Sequence, residues 1–315
     1  MPEKSSVAFI FPGQGAQAVG MGKDLFDNYD SAKKVFKQAD EVLGFSLSRL
    51  CFEGPEEELN LTINTQPAML TISYACMEAI KETVGTNFPS PAFVAGHSLG
   101  EYTAILASGV LDFETAVFLA RERGRLMHEA SASNPGGMLA ILGLEEELVT
   151  EVCKETDTVI ANYNSPGQLV ISGAISKLPQ AMELAHEKGA SRTVTLQVSG
   201  AFHSPLMQPA KEGLSDILDK INFHDPSIPV IGNVTAKPLN TAEQIKTELI
   251  EQMCNGVQWQ RSVRYMIDNG ISAFIEIGYG KVLTGLIKRI HRESAIHNIG
   301  NTGDIIKLLP ERLAP

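Results

Sequence analysis

The sequence predicts an α/β fold: a large domain of the α/β-hydrolase kind, with a parallel sheet, carrying an inserted small domain. Short apolar strands alternate with amphipathic helices in the first and last thirds of the chain. One such strand, ending at residue 96, runs through a glycine–serine turn directly into a helix. Between residues 131 and 199 the order becomes βαββαβ, the ferredoxin-like arrangement. We therefore assign 1–130 and 200–315 to the large domain and 131–199 to the small one.

Composition limits the classes of function. The chain has 315 residues and a net charge of −11, which argues against a nucleic-acid-binding role. No apolar run reaches the roughly 20 residues of a membrane span, and the first six residues lack the parts of a signal peptide. The four cysteines are scattered without metal-binding or disulfide spacing. We expect a cytoplasmic monomer that binds neither membrane nor metal.

The first predicted strand, residues 7–11, leads into a glycine-rich loop. Gly13, Gly15 and Ala18 have the spacing of a dinucleotide fingerprint. That motif needs a second strand about 20 residues later, whereas residues 30–43 have helical periodicity, so a dinucleotide site is disfavoured. The loop is either a plain turn or a source of free backbone N–H groups for a neighbouring site.

Ser98 is the predicted nucleophile. It lies between Gly96 and Gly100 in a Gly-x-Ser-x-Gly pattern, with an apolar strand before it and a helix after it. The glycines leave room for a tight strand-to-helix turn, and the start of the helix favours negative charge near the serine oxygen.

Arg123 is predicted to point into the protein. It falls within the apolar stripe of a helix that Asp112 caps and that runs to about residue 130. A buried arginine needs an anionic partner. That partner is either an internal carboxylate, in a structural salt bridge, or the carboxylate of a substrate.

His203 is the candidate base, because it lies in a small-residue turn between a predicted strand and a helix. A capping or exposed histidine is the alternative. No aspartate stands out as a third member of a triad, since Asp216 and Asp219 have the pattern of surface residues. A backbone carbonyl could orient the histidine instead.

These segments together resemble the malonyl-CoA:acyl carrier protein transacylase family. The matching segments occur in the family's order over nearly the whole chain: residues 11–15, 96–101, 162–168, 200–204, 257–259 and 280–283. The resemblance implies that Ser98 carries the malonyl group as an ester, His203 activates it and Arg123 binds the free carboxylate. It also implies that Phe202 selects malonyl over larger groups.

The resemblance assigns further roles. The backbone N–H groups of Gln14 and Leu99 would form an oxyanion hole, the carbonyl of Gln258 would orient the histidine, and Asn162 would contact substrate. Tyr279 stands where the family usually has proline, which affects only a local turn.

The function expected from the resemblance is transfer of malonyl from malonyl-CoA to the phosphopantetheine thiol of acyl carrier protein, in type II fatty acid synthesis and without a cofactor. A stand-alone malonyl acyltransferase of a polyketide synthase is the nearest alternative. A serine thioesterase or esterase would share the serine and histidine but not the inward arginine or the inserted unit. A non-catalytic carrier-binding module would not need both Ser98 and His203.

Overall fold

The computed structural model describes residues 6–308, which contain two β-sheets. The six-stranded sheet has the order β10-β9-β1-β2-β7-β8, parallel except for the β7–β8 pair. The four-stranded sheet has the order β4-β5-β3-β6 and is antiparallel. The strands are β1 (Ser6–Phe11), β2 (Phe93–Gly96), β3 (Gly136–Leu142), β4 (Val159–Ser165), β5 (Gln168–Ala174), β6 (Arg192–Thr195), β7 (Val230–Ile231), β8 (Pro238–Leu239), β9 (Ile271–Ile277) and β10 (Ala295–Ile299).

Helices cover the larger sheet and flank the smaller one. They are α1 (Lys23–Asn28), α2 (Asp30–Leu43), α3 (Leu47–Glu53), α4 (Glu56–Leu59), α5 (Thr62–Val84), α6 (Gly100–Ala107), α7 (Phe113–Ser133), α8 (Glu146–Thr156), α9 (Leu178–Glu187), α10 (Gln208–Leu218), α11 (Ala242–Gln252), α12 (Trp259–Asp268), α13 (Val282–Ile290) and α14 (Thr302–Ile306). None of the helices in the described part of the chain is long and apolar enough to cross a membrane. The predicted α/β fold with a mainly parallel sheet and a second sheet is confirmed.

The smaller sheet belongs to two apolar clusters at once. Along β3, Leu139 and Ile141 pack with α8 and α9, whereas Met138 and Ala140 face the main core. Successive side chains of a strand point to opposite faces, so one short strand joins the small sheet to the large core. This alternation places the small sheet against the rest of the molecule and leaves a cleft between the two.

The carboxyl ends of β1 and β2 are level, because Phe11 pairs with Gly96 in the parallel register. The glycine-rich loop that follows β1 and the serine turn that follows β2 therefore meet at one edge of the sheet. In parallel α/β sheets this edge is where ligands bind.

Glycine is required where α6 leaves the sheet. A Cβ atom on Gly96 would lie 1.9 Å from the carbonyl carbon of Gly100, and one on Gly100 would lie 2.1 Å from the carbonyl oxygen of Phe11. The helix therefore starts in direct backbone contact with the strand ends, which fixes the position of the residues between the two glycines.

We expect the substitution Gly96→Ala to lower the free energy of unfolding by about 1–3 kcal/mol or more, because the added methyl overlaps backbone that cannot move freely. Gly285→Ala is the matched control: it lies inside α13 with open space around it, and alanine should raise stability by about 0.5–1 kcal/mol. Urea denaturation of both variants measures the difference. Equal stability of the two would contradict the close packing at the turn.

Candidate active site

Ser98 occupies a strained turn between β2 and α6. Its φ angle is +52°, a left-handed conformation that non-glycine residues adopt rarely and often at functional sites. The hydrogen bonds of Gly100 N–H to His97 O (2.9 Å) and of Glu101 N–H to Ser98 O (3.0 Å) close the turn. This geometry directs the hydroxyl of Ser98 toward the cleft, as a nucleophile requires.

His203 lies within hydrogen-bonding distance of the serine. Its Nε2 atom is 2.8 Å from Ser98 Oγ, and its Nδ1 atom is 2.8 Å from the carbonyl oxygen of Gln252. A carbonyl oxygen can only accept, so Nδ1 carries the proton and Nε2 accepts from the serine hydroxyl. The pair has the arrangement of a nucleophile and its general base.

The prediction that Gln258 orients His203 is wrong, because the carbonyl of Gln252 does so. Gln258 precedes α12, where its N–H donates to Asn233 O and its side chain accepts from Arg261. Gln252 is the last residue of α11, and the last carbonyls of a helix have no partner within it. A helix end thus supplies the acceptor that an aspartate supplies in a triad.

Arg123 lies beneath the serine and is only 1% exposed. Its Nη2 atom donates to Ser98 Oγ (3.1 Å) and to Gln252 Oε1 (2.7 Å), and its Nη1 atom donates to Gln66 Oε1 (2.6 Å). Within residues 6–308 it forms no ion pair, so the alternative of a structural salt bridge has no support. The guanidinium donates its hydrogen bonds to neutral oxygen atoms.

Gln66 extends this contact toward the glycine-rich loop. Its amide nitrogen donates to Thr62 Oγ1 (3.0 Å), whose hydroxyl donates to Gln14 Oε1 (2.9 Å). A continuous chain of side-chain hydrogen bonds therefore joins Arg123 to the loop after β1. This chain binds Nη1 of the arginine, whereas Gln252 binds Nη2.

Burial and the adjacent guanidinium of Arg123 lower the pKa of His203 to about 3. Both act in the same direction, because a second positive charge in a site without water is unfavourable. The imidazole is therefore neutral at ordinary pH and ready to accept a proton. Burial also lowers the pKa of Arg123, but an arginine guanidinium stays protonated in proteins.

Two residues that line the same cavity have free backbone N–H groups. Gln14 and Leu99 both line it, and among residues 6–308 neither of their backbone N–H groups donates to another protein group. Leu99 follows the serine and Gln14 lies in the loop that packs on the turn, since a Cβ atom on Gly13 would be 2.3 Å from His97 O. Unpaired N–H groups at this place have the arrangement of an oxyanion hole.

The cavity has a volume of about 560 Å³ and lies between the two sheets. Asn162 and Phe202 line it, and both are largely buried. Its remaining walls include apolar side chains of both parts of the fold, namely Met127, Met138, Leu196 and Val198. A polar serine–histidine–arginine floor with apolar walls suits a charged acyl group on a longer chain.

Several residues at this site were not predicted from the sequence. They are His97, whose Nε2 atom is 2.8 Å from Asn164 Oδ1, and the buried polar residues Gln66, Glu101, Asn233 and Gln252. A polar residue within an apolar helical stripe is the one signal that could have marked Gln66 and Gln252. Within residues 6–308 no group of His, Cys, Asp or Glu has the arrangement of a metal site.

Comparison with known proteins places the chain among the acyltransferases. The family model described as "Acyl transferase domain" matches residues 8–307. A malonyl CoA-acyl carrier protein transacylase of Bacillus subtilis is 48% identical over 91% of each chain, and one of Staphylococcus aureus is 42% identical over 96% of this chain and 97% of its own. The chain therefore belongs to the malonyl CoA-acyl carrier protein transacylase family.

Solved structures agree with this assignment. An acyl carrier protein S-malonyltransferase from Vibrio cholerae superposes with a TM-score of 0.92 at 40% identity, covering 97% of this chain and all of the other. A malonyl-transacylase in complex with a type II polyketide synthase acyl-carrier protein superposes with a TM-score of 0.93 at 39% identity, covering 98% and 100%.

The low pKa of His203 predicts a pH dependence of stability. The unfolded histidine titrates near 6.5, so between pH 6.5 and 3 the unfolded chain binds the additional proton. This group should therefore lower the free energy of unfolding by up to about 1.4 kcal/mol for each pH unit of acidification in that window. Denaturation of wild type and His203→Asn at pH 7, 6 and 5 isolates the contribution, and parallel pH profiles of the two proteins would refute it.

Proposed function

We propose that this enzyme transfers a malonyl group from malonyl-CoA to the phosphopantetheine thiol of acyl carrier protein, through an ester on Ser98. The observation that carries the proposal is the Arg123 guanidinium, buried without a carboxylate partner and 3.1 Å from the serine oxygen. Malonyl is an acyl group whose far end is a carboxylate, and it supplies the missing anion. The relatives are transacylases and a malonyltransferase of acyl carrier protein, which favours transfer to a carrier over hydrolysis.

In the first half-reaction Ser98 Oγ attacks the thioester carbonyl while its proton passes to His203 Nε2. The N–H groups of Gln14 and Leu99 stabilise the oxyanion of the tetrahedral intermediate. When the carbon–sulfur bond breaks, the proton on His203 passes to the departing sulfur. Coenzyme A leaves as the thiol, and the malonyl group remains as an ester.

In the second half-reaction the thiol of the carrier's phosphopantetheine gives its proton to His203 Nε2 and attacks the ester carbonyl. The same N–H groups hold the second oxyanion. The carbon–oxygen bond to Ser98 breaks, and the proton on His203 returns to the serine oxygen. The enzyme is regenerated without a bound cofactor, and the kinetics are ping-pong.

Arg123 provides selectivity for a diacid in this scheme. Gln66 and Gln252 hold the guanidinium through neutral carbonyl oxygens, so its charge remains available to the substrate. An acetyl group has no carboxylate and would leave the buried cation without an anion. Asn162 and Phe202 complete the binding surface for the acyl group.

We further propose the finer description of the fold. The order of elements from β3 to β6, together with the sheet order β4-β5-β3-β6, supports a ferredoxin-like small domain at 131–199. The serine turn at the carboxyl edge of the parallel sheet supports an α/β-hydrolase-like large domain at 1–130 and 200–315. The free cysteines support a place in the cytoplasm, where type II fatty acid synthesis would use the product.

Incubation with malonyl-CoA should add the mass of one malonyl group to the peptide that contains Ser98, and acyl carrier protein bearing phosphopantetheine should remove it. Intact-mass and peptide mass spectrometry follow both steps, with Ser98→Ala as the control that stays unmodified. Active protein that forms no adduct would end the proposal. Loss of the adduct to water at the same rate without the carrier would indicate a thioesterase.

Arg123→Ala should slow malonyl transfer to Ser98 by about 100-fold or more, because the carboxylate loses its buried partner. Acetyl transfer should fall by less than about tenfold, since it makes no such contact. Arg125→Ala is the control on the same helix, because that side chain only pairs with Glu122 and Glu129 at the surface. Stopped-flow acylation with both thioesters measures the ratio, and an equal loss for both would return Arg123 to a structural role.

A further inference from the structure

Glu101 is a fully buried carboxylate three residues after the nucleophile. It is the second residue of α6, it is 0% exposed, and it does not line the cavity. A buried carboxylate is costly unless hydrogen bonds satisfy its oxygens. The partners of Glu101 therefore indicate what its burial achieves.

One oxygen of Glu101 holds the loop after β7. Oε1 accepts from the backbone N–H of Asn233 (2.8 Å). The side chain of Asn233 in turn accepts from Ser98 N–H (2.7 Å) and donates to Gly96 O (2.7 Å). Asn233 therefore bridges the strained turn on both sides of the nucleophile, and Glu101 fixes Asn233.

The other oxygen of Glu101 accepts from the side-chain amide of Gln252. The guanidinium of Arg123 can only donate, so Gln252 turns its amide oxygen toward Arg123 and its NH₂ group toward Glu101. The Arg123–Gln252 hydrogen bond is 2.7 Å long, and an acceptor oxygen on Glu101 satisfies the NH₂ group at the other end of the amide. The backbone carbonyl of the same residue orients His203.

We propose that Glu101 is a positioning residue. Through Asn233 and Gln252 it fixes the relative positions of Ser98, His203 and Arg123. It touches none of the reacting atoms. Its two hydrogen bonds join α6 to two segments more than a hundred positions away in the sequence, separated from it by 132 and 151 positions. The inference deepens the proposed malonyl transfer and rests on it.

The substitution Glu101→Gln tests the orientation of Gln252. It replaces one acceptor oxygen by an NH₂ group, which must face either the Asn233 N–H or the Gln252 NH₂. If Gln252 rotates in response, its own NH₂ group faces the guanidinium of Arg123 and repels it. We expect malonyl transfer to Ser98 to fall about 10- to 100-fold and the malonyl-to-acetyl rate ratio to fall at least about fivefold.

Glu276→Gln is the matched control. Glu276 is also 0% exposed, and its oxygens accept from Leu283 N–H (3.1 Å) and from Thr284 N–H (2.8 Å), away from the cavity. This variant should lose thermal stability and keep the wild-type malonyl-to-acetyl ratio. The ratio thus separates positioning from a general loss of packing, which lowers both rates together.

The outcomes are distinct. Absence of a malonyl adduct on the wild-type enzyme would refute the proposed function itself. With the wild-type adduct present, an unchanged ratio in folded Glu101→Gln, or an equal change in Glu276→Gln, would overturn the role of Glu101. If Glu101→Gln does not fold, Asn233→Ala decides: we expect at least about a tenfold fall in Ser98 acylation by both thioesters, and a wild-type rate would overturn the proposal.

Discussion

A positive charge buried with neutral partners determines the chemistry of this site. Removing a guanidinium from water is costly, and three oxygens on Gln66, Gln252 and Ser98 offset that cost only through hydrogen bonds. The Tyr102 ring adds a cation–π contact, with its centroid 5.5 Å from the guanidinium carbon. Because Arg123 has no ion pair within residues 6–308, the free enzyme favours a ligand that brings an anion to the guanidinium.

The same charge requires the surrounding backbone to be held in place. Ser98 and His203 both have left-handed φ angles, +52° and +57°, so neither turn would keep its form in isolation. Close contact between backbones at Gly96 and Gly100 fixes the first turn from below. Ser98 also donates its N–H to Asn233 Oδ1 and accepts at its carbonyl oxygen from the Gln252 amide, and these two bonds hold the turn. A site with a buried cation and a depressed histidine pKa tolerates little displacement, because its interactions are strong only at short range.

Local pattern marked Ser98, Arg123 and His203 as candidates, and the family resemblance gave them their expected roles. Glycine spacing indicated the serine turn. A place in an apolar helical stripe indicated Arg123, and a position after a predicted strand indicated His203. The residues that hold them could not be found in this way. Asn233 lies 135 positions from Ser98 and Gln252 lies 129 from Arg123, and no spacing rule links segments so far apart. The resemblance assigned this role to Gln258, and no sequence pattern could correct it, because the acceptor for His203 is a backbone carbonyl, which every residue possesses.

The low pKa of His203 raises the question of how so weak a base activates Ser98. In the proposed reaction the answer lies in the substrate. Arg123 is the second cause of the depression after burial, and a malonyl carboxylate bound to it cancels much of its charge. The pKa of His203 then rises toward the value that suits a general base. An acetyl thioester leaves the arginine charge in place and the base weak. In the proposed reaction the arginine would thus favour malonyl twice, once by binding its carboxylate and once because that carboxylate strengthens the base.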